Sequence, residues 1–172
     1  MKFRILLLSI AIWTNYLAIS QRTVPQSDSL RIFGQVMNPT TFSLADLDTF
    51  PTSVIKDQIM FNQNGEVKDT LTGMIGIPLK ALLSSIQYRY DKPRELNEFY
   101  FIFTATDSYR VVFSWNEIYN TEAVNHFFIV TELEGKKIGA MEQRILFISS
   151  TDLKIGRRFI KGLSKIEVQR LE

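Results

Sequence analysis

Apolar and polar residues alternate with a period of two along much of the chain, the mark of strands buried on one face. Leu30 to Val36 alternates in this way and stops at Asn38-Pro39, a turn pair. Ser43-Leu-Ala-Asp46 resembles a capping box with Asp in place of the usual Glu, so a short helix is expected to about Thr49, before Pro51. Val54 to Phe61 and Glu66 to Leu71 read as two extended runs joined by Asn62-Gln63-Asn64-Gly65. Its Asn-Gly pair tolerates the positive φ of a tight hairpin. Pro78 suits the first turn of a helix whose apolar stripe is Leu79, Leu82, Leu83 and Ile86.

After a charged connection over 88–98, Phe99 to Ala105 and Tyr109 to Phe113 are expected strands around the turn Thr106-Asp107-Ser108. Ser114-Trp-Asn-Glu117 is a second capping box, opening a short helix that carries Trp115 and Ile118. His126 to Thr131 reads as a strand, Glu134-Gly135-Lys136 as a turn, and Arg144 to Ile148 as a buried strand. Asp152 to Arg158 is expected as a loop or helical turn, and Leu163 to Val168 as the final strand. The pattern predicts about eight strands and three short helices in one mainly β domain, 30–172, without repeats or a linker.

One stretch breaks the pattern. Lys2 and Arg4 precede an apolar run, Ile5 to Trp13, that is too short to span a bilayer comfortably. Ala18-Ile19-Ser20 then supplies the small residues of a cleavage site before Gln21. Residues 1–20 are therefore expected to be a signal peptide and 21–29 a flexible polar segment, with the product periplasmic or secreted. Removing Lys2 and Arg4 leaves 18 of the 20 basic residues against 18 acidic ones. A neutral chain without a basic arm is a poor binder of phosphate backbones, so no nucleic acid partner, DNA included, is expected. The chain has no cysteine, which excludes disulfides, thiol nucleophiles and thiolate metal sites. A single histidine makes zinc or haem ligation unexpected as well, so the metal site is read as none.

Candidate chemistry is sparse. His126 stands in an apolar strand pattern, where a hydrogen-bonded structural role is the ordinary reading. Gly73 and Gly76 are spaced like half of a phosphate loop, but no Lys-Ser/Thr follows them. Lys154, Arg157, Arg158, Lys161 and Lys165 form a basic cluster. If the 154–161 segment turned back over Arg144, these cations would converge on an anion; the alternative is a solvated basic face. Asp107 is read first as a turn former that bonds its own backbone two residues on.

Five segments, in order, resemble a known family. "LRIFGQVMNPTTFSLADLDTFP", "GIPLKALL", "FTATDSYRVVFSWNEI", "QRILFI" and "GRRFIKGLSKIEV" are similar to successive motifs of the sulfite-oxidase-like oxidoreductase molybdopterin-binding domain family. The resemblance covers residues 30–169 and points to its compact exported branch. It implies an α+β, mainly β fold of mixed sheets and a few short helices. It also implies that Arg144, Arg158 and Lys161 face a pterin phosphate, and that Asp107 and Tyr109 belong to a hairpin beside the cleft. The family's molybdenum-binding cysteine has no counterpart between Ile59 and Gly73, where Asn62 would be a poor hard-donor substitute. Ser108 replaces a turn glycine, Met141-Glu142 a Gly-Pro, Ile148-Ser149 a Pro-Gly, and Gly162 a tryptophan. Glycines that permit close cofactor approach are thereby lost.

The first expectation is thus a catalytically degenerate, exported module that binds a small anion, a small molecule or a membrane or periplasmic protein partner, without cofactor. The alternative is a molybdopterin-dependent oxidoreductase subunit that holds the cofactor without a thiolate. A third reading pairs Asp107 with Glu117 or Glu142 as catalytic carboxylates.

Overall fold

The structure, a computed structural model, describes residues 24–62 and 64–172. The expected signal peptide, the start of the segment 21–29 and Gln63 of the hairpin turn lie outside the described residues. The strands are β1 Ser29–Gly34, β2 Thr40–Ser43, β3 Ser53–Ile55, β4 Gln58–Phe61, β5 Val67–Leu71 and β6 Met74–Pro78. There follow β7 Phe99–Ala105, β8 Arg110–Ser114, β9 Phe127–Leu133, β10 Lys136–Lys137, β11 Leu146–Ser149, β12 Ile160–Lys161 and β13 Leu163–Arg170. Three short helices interrupt them: α1 Leu44–Leu47, α2 Leu79–Leu83 and α3 Trp115–Tyr119.

Two sheets carry the fold. One has the order β2-β1-β13-β7-β8, the other β12-β11-β9-β6-β3 with β10 also on β9, while β4 and β5 form a separate ribbon. In the first sheet β1 runs parallel to β13 and the other pairs are antiparallel. This is the expected α+β, mainly β arrangement with mixed sheets.

Several elements differ from the pattern-based expectation. The run Val54 to Phe61 breaks at Lys56-Asp57, because β3 joins the large sheet through β6 while β4 leaves to pair with β5. A strand, β6, precedes the Pro78 helix entry, and Gly76 within it packs against β9. A Cβ there would lie 2.8 Å from the Ile129 carbonyl oxygen, so this glycine serves sheet packing and not a phosphate. The expected helix after Ser43 does form with both halves of its capping box, though it ends at Leu47. His126 closes a 3₁₀ turn, Glu122–His126, ahead of β9, and is exposed, which corrects its reading as a residue of an apolar strand. Short 3₁₀ turns and short strands are the elements that hydrophobic periodicity resolves least.

Alternation explains why the sheets face each other. Along β7, Phe99, Phe101, Phe103 and Ala105 are buried and the residues between them are only partly so. Phe103 and Phe113 from the first sheet meet Phe147 of the second with ring centroids 4.9 and 5.2 Å apart. Phe127 of β9 joins them, 5.2 Å from Phe113 and 5.9 Å from Phe147. Edge-to-face pairs of this kind add about 0.5–1.5 kcal/mol each to what area burial contributes. Phe147, fully buried, touches the other three rings. Phe147→Ala is expected to cost about 3–5 kcal/mol, read as a lowered urea midpoint with an unchanged denaturant slope.

Candidate functional site

The hairpin between β7 and β8 closes as its composition demands. Asp107 Oδ1 accepts from the Tyr109 amide at 3.0 Å, and the Ser108 amide donates to the Ala105 carbonyl at 3.1 Å. Ser108 has a φ of 71°, so it holds the left-handed conformation expected of the family's glycine, at roughly 1 kcal/mol of steric cost. The turn is then tied to two other segments. Thr106 donates its amide to the Gly162 carbonyl (2.9 Å) and its hydroxyl to the Pro25 carbonyl (2.6 Å). Tyr109 donates its hydroxyl to the Arg157 carbonyl at 2.5 Å.

Gly162 has a local cause. Its φ is 67°, and a Cβ would lie 2.7 Å from Thr106 Oγ1 and 2.8 Å from the Pro25 oxygen. A tryptophan at this position would expel the N-terminal segment. Residues 24–29, read from sequence as part of a flexible segment, are accordingly docked: Ser27 is 2% exposed and bridges to Arg144.

The three cations expected to converge have separate partners. Arg158 donates Nε to Asp152 Oδ2 at 2.6 Å, and its terminal nitrogens pair with Asp152 Oδ1 and Glu117 Oε1. Its guanidinium lies 4.9 Å from the Phe113 ring centroid and 5.4 Å from that of Phe127. Glu117 is drawn away from α3: Ser114 caps the helix by accepting the Glu117 amide, while the Glu117 carboxylate turns to Arg158. Burial pushes Asp152 upward, but hydrogen bonds from Arg158 and Ser149 outweigh it and hold the carboxyl below the usual range. The bond to Asp152 raises Arg158 further above its ordinary value.

Arg144 precedes β11 with a φ of 61° and pairs with Asp28, whose side chain is 74% exposed. Its Nε is buried without a hydrogen-bond partner among the described residues. Lys161 lies 5.8 Å from the Phe159 ring centroid, at a recess of about 190 Å³. That recess gathers positions the resemblance singled out: Met141 and Glu142, and Asp69 and Leu71 from the segment that corresponds to the one carrying the family's cysteine. Asp69, Glu134 and Glu142 oppose Lys136 and Lys161 there, so carboxylates outnumber ammonium groups. Asp107 accepts from a turn amide, Glu117 pairs with Arg158, and Glu142 lines this recess.

These residues fit a molybdopterin poorly. The chain offers no thiolate, Arg158 is committed to two carboxylates, and the recess falls below the roughly 300–1,000 Å³ typical of pockets for cofactor-sized ligands. Among the described residues, no group of three His, Cys, Asp or Glu could hold a metal ion. The Arg158 clasp was missed in the sequence because Glu117 read as a helix cap and Asp152 as loop; only their common reach to Arg158 reveals it.

No family model and no curated protein matches the chain. Among solved structures, the sulfane dehydrogenase SoxCD from Paracoccus pantotrophus is similar over 85% of this chain, with a TM-score of 0.63 and 14% identity. This chain spans 40% of the length of that one. The class is thereby defined: an α+β, mainly β chain with the sulfite-oxidase-type fold. At this identity the likeness speaks for the fold alone.

The Asp152 shift has a definite pH signature. A carboxyl held below 3.8 in the folded state stabilises fully above that value, and the gain is lost as pH falls through the folded pKa. Asp152→Asn is expected to cost about 1–3 kcal/mol near neutral pH, less than for a fully buried pair because Arg158 is 27% exposed. The gap from the parent should narrow as pH drops below 3.8, followed by urea midpoints across the acid range.

Proposed function

We propose that this chain is a catalytically degenerate interaction module built on the sulfite-oxidase-type fold. The observation that carries the reading is the Arg158 clasp. The guanidinium that the resemblance directs to a pterin phosphate is neutralised by Asp152 and Glu117 and packed on two rings. An anion would have to displace two carboxylates already in charge-assisted contact with it. The absent cysteine removes the soft ligand that would anchor the metal. Export to the periplasm is part of the same proposal and rests on the leader pattern of residues 1–20. Protein isolated from the periplasm of its native host is expected to begin at Gln21 and to carry neither molybdenum nor a fluorescent pterin on release. Stoichiometric molybdenum in that preparation would overturn the proposal in favour of the cofactor-binding subunit.

One observation favours a second reading, a weak small-anion site at Arg144. Its buried Nε lacks a hydrogen-bond partner among the described residues, and the Asp28 carboxylate beside it is exposed enough to yield. Asp28→Asn is then expected to tighten sulfate binding several-fold by calorimetry, since a competing anion is removed. Unchanged affinity would dispose of the site.

A further inference from the structure

The outer face of the first sheet carries a pattern that neither the fold nor the Arg158 region uses. Strand register puts Thr41, Arg31, Lys165, Thr104 and Arg110 side by side across all five strands. Arg31, Lys165 and Arg110 are exposed, and none takes part in an ion pair among the described residues. Arg31 and Lys165 are direct neighbours on adjacent strands, an arrangement that like charges disfavour. The next row of the same face is Phe33, Glu167, Ile102 and Val112, with Val112 57% exposed. Beyond it, Tyr100 and Gln169 border an open trough of about 440 Å³. A cationic band thus runs beside an apolar band, both crossing the strands.

The geometry points to this face as the docking surface for an acidic amphipathic helix of a partner protein. The face offers side chains and no backbone hydrogen bonds, so its ligand must satisfy its own backbone, as a helix does. Bands two residues apart on a strand are separated by about 6.8 Å, which fits beneath one helix of about 10 Å diameter. Five strands span about 19 Å, the length of about 13 helical residues. Carboxylates on one flank meet Arg31, Lys165 and Arg110, while the apolar stripe covers Phe33, Ile102 and Val112. Glu167, in the middle of the apolar row, accepts from Gln169 Nε2 at 2.9 Å but has no ion-pair partner among the described residues, which argues against a lipid surface, where its charge would be desolvated without a cation. A helix can supply it a donor. The contact is smaller than the roughly 800 Å² per partner of a stable interface, so it is weak and steered by charge.

This deepens the interaction-module reading by naming its partner class, and the two fail separately: bound molybdenum would overturn that reading, not this surface. The test uses the full mature chain and a synthetic 14-residue peptide (about four turns) with leucines on one face and glutamates along the flank. Fluorescence titration is expected to show binding that weakens at least tenfold from about 0.1 to about 1 M salt, as the Debye length falls from about 10 to about 3 Å. Arg31→Glu/Lys165→Glu should weaken it about tenfold, and the parallel Arg31→Gln/Lys165→Gln chain several-fold. The thermal midpoint of the glutamine variant should hold or rise, since repulsion between neighbours is relieved, whereas that of the glutamate variant should stay near the parent's because one like-charged pair replaces another. Equal binding of a peptide with lysine at every glutamate position, or undiminished binding by both variants, would overturn the proposal. So would charge-dependent binding to vesicles of phosphatidylcholine with about 30% phosphatidylglycerol in the absence of peptide binding.

Discussion

The Arg158 guanidinium, clasped by Asp152 and Glu117 and laid over Phe113 and Phe127, joins the polar and apolar halves of the structure. Phe113 and Phe127 belong to the ring cluster that holds the two sheets together, so the ion pair seals one border of the core. Its carboxylates come from α3 and from the loop after β11, elements far apart in sequence. A charge taken partly out of water must be matched closely, because leaving either partner alone costs more than the pair contributes. That constraint ties the end of the second sheet to the helix following β8. It also engages one of the three cations that the family resemblance directs to a phosphate.

The same economy recurs around the hairpin. Thr106 donates to the Gly162 and Pro25 carbonyls and Tyr109 to the Arg157 carbonyl, and the N-terminal segment fills the space that a larger residue at Gly162 would occupy. Asp28 reaches Arg144 from that segment. Groups that the family resemblance aims at a cofactor are instead turned toward the protein itself. What stays open is the outer sheet face, where cations without acidic partners stand in a row.

The hairpin was the most legible part of the candidate site. Thr-Asp-Ser between apolar runs calls for a turn, and Asp107 makes the local bond its chemistry favours. Ser108 was legible only in part: its side chain argues against positive φ, yet the contacts on both sides of the turn hold it at 71°. Arg144, Arg158 and Lys161 were identifiable as cations of interest, but not that Asp28 would pair with Arg144 and Glu117 with Arg158, since those acids lie on distant segments. Charge clusters in a sequence do not reveal which acids will fold back upon them.

Local chemistry determined the strands, the helix starts at Ser43 and Ser114, the hairpins and the mainly β class. Each follows from alternation, capping or turn preference within a few residues. Tertiary structure alone decided that Val54 to Phe61 would divide between a sheet and a ribbon, and that Glu117 would leave its cap for Arg158. It also decided that Arg31, Lys165 and Arg110 would share one row. Those outcomes depend on which strands become neighbours and in what register. Pairings between distant segments are settled by packing across the whole core and leave no trace in any short stretch of sequence.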